Sequence, residues 1–441
     1  MRISDKSLFD RGLSNFSSIN RDGSTAVSFI VVFLILSAFT MRPSLLGEIF
    51  TPVSMAFAGA ALGLTVIVLP MRTEKAVAQR NLLIASIICL FWVYLSLHSV
   101  FQRARHPDFL LKALLSISFL VFIFALILTR RDLNRIFFRG LVWVFVLSTL
   151  SYFTTLTLAF FVPFDSLFLF HIKSQFYDTK WGGVFLPFTT AYGVISISGF
   201  QFFRNLGPFR EAGIFQAFLS WAYFVLPYLD MDRLWIKAVL VAGVLSTLST
   251  TGIVIFFATL ALKTVFVHEE RRRLKRHIVS TILAAGMFAG GALTFLYIPV
   301  FGFIDKMQNS AASIEDRIEG TTAGISGFIN NPFGIGMYNA TVPNVGINLL
   351  SSLWMIGFAG LLILALLTVV SVITVKGSFD RMVFVISMFP FAVTGVLAQP
   401  FIESPLVFIM LFQILPKNTG RNPKTEEILY SWQSEVGANE V

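Results

Sequence analysis

Charge is scarce in this 441-residue chain: Asp, Glu, Lys and Arg make up 13% of it, against 56% hydrophobic residues. Soluble domains carry roughly a quarter charged residues, so an ordinary soluble globular protein is excluded. Cysteine is nearly absent as well. The single Cys89 lies in an apolar run and rules out an intramolecular disulfide. The five histidines show no metal-ligand spacing. His268 and His277 flank a basic run, while His98, His106 and His171 lie at span ends or in loops. No G-x-x-x-x-G-K-[ST] occurs, so ATP-driven transport by this chain alone has no support. The lack of G-x-S-x-G likewise removes support for serine hydrolase chemistry. No order of charged, apolar and small residues marks a cleaved signal between Met1 and Thr25, so the first span is expected to remain as an anchor.

What the chain does have is hydrophobic length. Forty-nine phenylalanines and a mean hydropathy of +0.77 describe a chain dissolved mainly in lipid. The fold class expected is an all-α polytopic membrane protein of about twelve transmembrane helices. On a ruler of about 20 apolar residues per span, spans fall near 26–41, 50–70, 81–99, 109–129, 136–162, 212–229, 234–249, 252–267, 278–298, 351–373, 381–398 and 401–416. The formal net charge of +10 is read as the cytoplasmic excess of Lys and Arg that membrane proteins carry, not as a nucleic-acid surface. Clusters at Arg72–Arg80, Arg130–Arg135 and Arg271–Arg276 fall on one side when both termini are cytoplasmic.

The stretch 184–203 is long enough for a further span, but a thirteenth crossing would turn the 271–276 cluster outward. Val194–Phe203 also alternates in the manner of a strand. Residues 163–211 are therefore expected to form an external, membrane-hugging segment. A second external segment, 299–350, is the longest polar region. Within it Ser313–Arg317 has the signature of a helix start, with a serine cap and acids in the first turn, and Asn330–Gly336 breaks the chain. All of 1–441 is read as a single transmembrane domain.

The candidate chemistry lies on the external side. Arg204, Arg210 and Glu211 crowd into eight residues before an apolar run, in a stretch that Gly207-Pro208 and Gly213 break into a shaped loop. Charges so close to a span are costly unless they face water, a cavity or a ligand. Guanidinium groups stay charged and present forked donors suited to phosphate oxygens, which points Arg210 and Arg317 at a phosphorylated lipid. The bland alternative is contact with lipid head groups or pairing with Glu211. Glu211 itself is open as a general base or as an orienter of an arginine. Arg103 and Arg105, in Gln102–His106, are basic residues on the external side against the general trend, and are candidate substrate contacts with Arg204. Asp230-Met-Asp232 has D-x-D spacing, but it falls in a cytoplasmic turn and is a weak metal signal. No metal site and no cofactor are expected.

These residues resemble motifs of the O-antigen polymerase and ligase superfamily of bacterial envelopes. Arg204-Asn-Leu-Gly-Pro-Phe-Arg-Glu-Ala-Gly213 is similar to an external Arg-Asn-x-Gly-x-Phe-x-Glu-Pro-Gly pattern, with Ala212 in place of proline. Ser246–Gly252 looks like the family's serine-rich span boundary, without its arginine. Arg317 followed by Asn331-Pro-Phe-Gly-Ile-Gly336 is similar to the family's order of Arg, then Pro-x-x-Gly-x-Gly. Trp354–Gly360 resembles the Gly-x-x-Gly that opens the next span. The histidine that ligases carry before that pair is missing, which favours polymerase.

The resemblance implies an inner-membrane glycosyltransferase, multi-pass and working on the periplasmic face. It would join undecaprenyl-diphosphate-linked oligosaccharides, serving as both donor and acceptor, into O-antigen or exopolysaccharide. In that role Arg210, Glu211 and Arg317 are catalytic, Arg204, Arg103 and Arg105 bind substrate, and membrane lipids surround the chain. A chain-length regulator is left open as a further partner. The alternatives are a ligase, or a transporter that flips the same lipid-linked sugar.

Overall fold

The computed structural model describes residues 21–69, 74–103, 107–172, 183–197, 200–266, 311–339 and 346–414, with short helical pieces at 285–286, 289–290 and 293. Five helices come first: α1 (Arg21–Phe39), α2 (Gly47–Val68), α3 (Lys75–Phe101), α4 (Pro107–Ile127) and α5 (Arg131–Leu158). A four-stranded antiparallel sheet follows, in the order β1 (Phe168–His171), β2 (Gly183–Phe185), β3 (Thr189–Ile197), β4 (Phe200–Asn205). Then come α6 (Ala212–Val225), α7 (Leu234–Ser246), α8 (Thr250–Phe266), α9 (Ala311–Asn330), α10 (Leu349–Ile373), α11 (Ser378–Leu397) and the five-residue α12 (Pro405–Ile409). In lipid every backbone polar group must find a partner within the protein, and a helix does this within one segment.

Among the described residues, seven helices are long and apolar enough to cross a membrane: α2, α3, α4, α5, α6 with its 3-10 continuation to Leu229, α10 and α11. The protein is a mostly helical, multi-pass membrane protein. The apolar helices α1 (from Thr25), α7 and α8 are shorter. α7 has 13 residues, about 20 Å at 1.5 Å per residue, well under the roughly 30 Å hydrocarbon core. The span expected at 278–298 lies outside the described residues, apart from the short pieces.

The twelfth expected span, 401–416, is not a continuous helix. Two 3-10 turns, Phe401–Glu403 and Met410–Phe412, flank α12. The carbonyls released at its end are taken by side chains. Arg80 donates to Leu411 O (2.8 Å) and Gln413 O (3.2 Å), and Asn134 donates to Phe412 O (2.8 Å). With those donors present, the chain can leave the helix inside an apolar bundle without orphaned carbonyls.

Among its described residues the stretch 184–203 holds parts of β2, β3 and β4 and no helix. Its sheet rests on the end of α5, where the Tyr152 hydroxyl donates to Phe203 O (2.8 Å) and Thr155 donates to Leu186 O (2.7 Å). Phe164, Phe185, Phe203 and Tyr152 close a small aromatic core beneath it.

α6 is the axis of the bundle. Of its best apolar window 83% is buried, against 17–44% for the other spans, and α5, α7, α8, α11 and β4 pack around it. Phe138, Phe145, Phe215, Phe218, Trp221 and Phe391 pack along its length in tilted and edge-on pairs. A hydrophobic-all-round helix is a core helix. Its two ends differ in chemistry. Near Leu229, Arg135 and Arg139 pair with Asp230, and Lys237 pairs with Asp232. The other end, at Ala212, carries the candidate site.

Candidate functional site

The loop Leu206–Glu211 enters α6 through a shaped turn. Gly207 has φ +51, a backbone conformation that suits glycine. Its N–H donates to Asn205 Oδ1 (3.1 Å), and its carbonyl accepts from Thr190 Oγ1 (2.6 Å). Phe209 is fully buried and stacks on Phe218 at 4.4 Å, which anchors the loop.

Glu211 is the residue before α6, with extended φ/ψ and no capping bond from its side chain. A carboxylate at a helix N-terminus is electrostatically favoured. The Glu211 side chain is 45% exposed, and Gln399 Nε2 donates to its Oε2 at 2.6 Å. Its Oε1 lies 3.9 Å from Arg210 Nε. Arg210 thus lies beside Glu211, the pairing that the bland alternative expects.

A second chain segment lies alongside. Ser44 forms an isolated antiparallel bridge with Phe209. Leu45 N–H donates to Pro208 O (2.9 Å) and Arg210 N–H to Pro43 O (3.5 Å). That pairing sets Arg42 beside the Arg210–Glu211 loop. Arg42 forms an ion pair with Glu403, and the Tyr338 hydroxyl donates to the other oxygen of Glu403 at 2.7 Å. Burial first, and then the Glu403 charge and hydrogen bond, push the Tyr338 phenol far above its ordinary pKa, with Arg42 opposing. Tyr338 also holds φ +58, an uncommon conformation for a bulky side chain.

Arg317 reaches this end indirectly. α9 begins at Ala311, so Ser313 lies in its first turn and is not the cap. Four residues after Arg317, Thr321 accepts from Asn348 Nδ2 (3.2 Å), and the same amide group donates to Leu397 O (3.3 Å). Asn348 caps α10 through a reciprocal box with Ser351. One side chain thus ties α9, α10 and the end of α11 together, two residues from Gln399. Arg317 is half-buried and takes no ion pair or hydrogen bond among the described residues.

The other candidates separate. Arg204 sits on β4 opposite Tyr192, within the sheet. Arg103 is exposed at the end of α3, next to Gln102, whose carbonyl accepts from Asn339 (2.8 Å); it borders the loop that carries Tyr338. Arg105 lies outside the described residues. Both carboxylates of Asp230-Met-Asp232 are occupied by the ion pairs at the opposite end of α6. The Trp354–Gly360 motif does not open a span: α10 starts at Leu349, and Gly357 is a break inside it. Ser246–Gly252 forms the turn between α7 and α8, and Asn205 Nδ2 donates to Ser246 Oγ (2.9 Å), which fastens that turn to β4.

Sequence reasoning missed Arg42, Tyr338, Gln399 and Glu403. One signal was present. Glu403 falls within the expected twelfth span, and an ionisable residue inside a span is a functional candidate by default. The partners of the other three depend on contacts between distant segments. Compared with known proteins, the chain matches no family model, no curated protein and no solved structure.

Proposed function

We propose that this chain is a membrane glycosyltransferase that polymerises oligosaccharide repeats carried on undecaprenyl diphosphate. In this reading it lies in a bacterial inner membrane with both termini cytoplasmic, and the Ala212 end of α6 faces the periplasm. The observation that carries the proposal is the Arg210–Glu211–Gln399 cluster at the polar end of an otherwise apolar bundle, with the Arg317 helix fastened beside it by Asn348.

The reaction requires two things of the protein. An acceptor hydroxyl must lose its proton as it attacks the anomeric carbon of the donor, and the departing diphosphate must be stabilised. Glu211 Oε1 accepts the proton while the new C–O bond forms. The bond between the anomeric carbon and the phosphate oxygen breaks, and its electron pair leaves with the lipid diphosphate. That leaving group is already anionic and needs no proton of its own, so one base is enough. Arg210 and Arg317 supply guanidinium donors for the developing charge, and removal of one donor to such a charge typically costs about 10²–10³ in rate. Arg204 and Arg103 stand at the margins, where they help hold the loop or the glycan.

The test is a profile of surface and lipid-linked glycans from a deletion strain, complemented with wild type, Arg210→Ala or Arg317→Ala at matched expression. The proposal expects single repeats to persist outside while long chains vanish, with neither variant restoring them. Long lipid-linked chains accumulating in the periplasm would mean a ligase. Single repeats trapped on the cytoplasmic face would mean a transporter.

A further inference from the structure

Tight turns are mostly built from Gly, Pro, Asn, Asp and Ser, residues that bend the chain and suit water. The turn between β2 and β3 is instead Leu186-Pro187-Phe188. Phe188 is 76% exposed and Leu186 44%. From Gly183 to Phe203 the sequence has no Asp, Glu, Lys or Arg.

The backbone of this turn has little use for water. Leu186 N–H donates to Leu167 O (2.8 Å) and Phe188 N–H to Ser151 Oγ (3.1 Å). Pro187 has no N–H to give. Leu186 O accepts from Thr155 Oγ1 (2.7 Å). Thr189 Oγ1 lies 2.9 Å from both Ser151 Oγ and Thr155 Oγ1, so three hydroxyls bind the turn to α5. Near hydrocarbon, backbone outside a helix needs partners of this kind from the protein.

The level of the turn follows from α5, which is one of the spans. Between Arg139 and Asp165 the sequence has no charged residue. A hydrocarbon core of roughly 30 Å takes about 20 helical residues. Counted from Arg139, the far boundary falls in the last turns of α5, where Ser151 and Thr155 stand. Trp143, Leu147 and Leu150, spaced to share one face of α5, are all exposed, as a lipid-facing stripe must be. Phe188 is fastened to the residue after Leu150, so its ring continues that stripe.

We infer that the β2–β3 turn is a lipid anchor: Leu186 and Phe188 enter the acyl boundary of the bilayer leaflet at the Ala212 end of the bundle. The inference stands apart from the glycosyltransferase reading. Its consequence for the candidate site is positional. Thr190, two residues beyond Phe188, donates to Gly207 O (2.6 Å), so the anchor sets the height of the Arg210–Glu211 loop at the membrane surface.

The experiment uses the full chain in lipid vesicles. Cys89→Ser removes the single native thiol, and a nitroxide label is attached at Phe188→Cys. Because Phe188 is largely exposed, its replacement removes little packing; should that variant fail to fold, Leu186→Cys carries the same test. Collision of the label with oxygen, which concentrates among acyl chains, is compared with collision with a polar nickel chelate. Leu147→Cys is the lipid reference, and Lys376→Cys, exposed between α10 and α11, is the water reference. The anchor predicts an oxygen-to-chelate ratio at least about fivefold above that of Lys376→Cys and close to that of Leu147→Cys, because hydrocarbon excludes a polar solute. A lower ratio would overturn the anchor and give the turn to water. Weak collision with both reagents would also overturn it: another part of the chain covers the turn, or, where labels on two copies broaden each other's spectra, a second copy does.

Discussion

Alanine at Gly357 probes how the polar loop carrying Tyr338 is built into the bundle. Gly357 interrupts α10 with φ +66 and ψ 179, a region in practice reserved for glycine and costing other residues about 1–3 kcal/mol. A Cβ there would lie 2.2 Å from the Phe333 carbonyl oxygen and 2.6 Å from its carbon. Neither is the tip of a flexible side chain, so Pro332–Gly334 must back away. That movement strains three bonds that stitch the loop to the break: Phe358 N–H to Pro332 O (2.8 Å), Ile335 N–H to Trp354 O (2.9 Å) and Gly336 N–H to Met355 O (3.1 Å). At about 1 kcal/mol per bond, partly lost, plus the backbone strain, the expected destabilisation is about 3–5 kcal/mol, in the far tail for single substitutions. Unfolding in detergent micelles, followed by tryptophan fluorescence, measures it. Gly63→Ala is the reference, because nothing lies within 4 Å of a Cβ at Gly63 in α2, and it should be neutral or stabilising by up to about 1 kcal/mol. Gly357→Ala unfolding together with wild type would refute the account of the break.

Three other outcomes are expected. Asn348→Ala removes a helix cap worth about 1 kcal/mol and two side-chain donors, a total of about 2–3 kcal/mol. Hydrogen exchange should speed up in α9, and unchanged exchange there would deny Asn348 its role as the tie. The raised pKa of the Tyr338 phenol implies stability that is fully present below the ordinary tyrosine value of about 10 and lost as pH rises above it. Wild type should therefore lose more stability than Tyr338→Phe between about pH 9 and 11, and equal losses would show that the phenol is not held in this way. Arg80→Met removes both donors to the carbonyls of Leu411 and Gln413. At about 1–3 kcal/mol for each carbonyl left unsatisfied, it should lower thermal stability well below wild type. An unchanged melting point would mean that the broken segment is satisfied by other means.

Much of the fold follows from local pattern. Apolar runs near 50–70, 81–99, 109–129, 351–373 and 381–398 each overlap one observed helix, because length and hydrophobicity are properties of a single segment. The basic cluster at 271–276, with the partial alternation in Val194–Phe203, separated strand from span, and the Gly207-Pro208 and Gly213 breaks isolated Arg210 and Glu211. Hydropathy, however, reads 401–416 as a span, since it cannot register that Arg80 and Asn134 cap the carbonyls of a broken helix. It also cannot tell a thirteen-residue α7 from a full crossing when the turn at Thr247–Ser249 is itself apolar enough to pass. The site is divided in the same way. The adjacency of Arg210 and Glu211 is written in the chain. The contacts of Glu211 with Gln399, 188 residues away, and of Arg42 with Glu403, 361 residues away, exist only because α6 and α11 pack together and the 42–45 segment pairs with the loop before α6. Residue type and spacing determined which charges were available at the membrane surface; tertiary packing decided which of them meet, because proximity between distant segments is set by the whole bundle and by no segment alone.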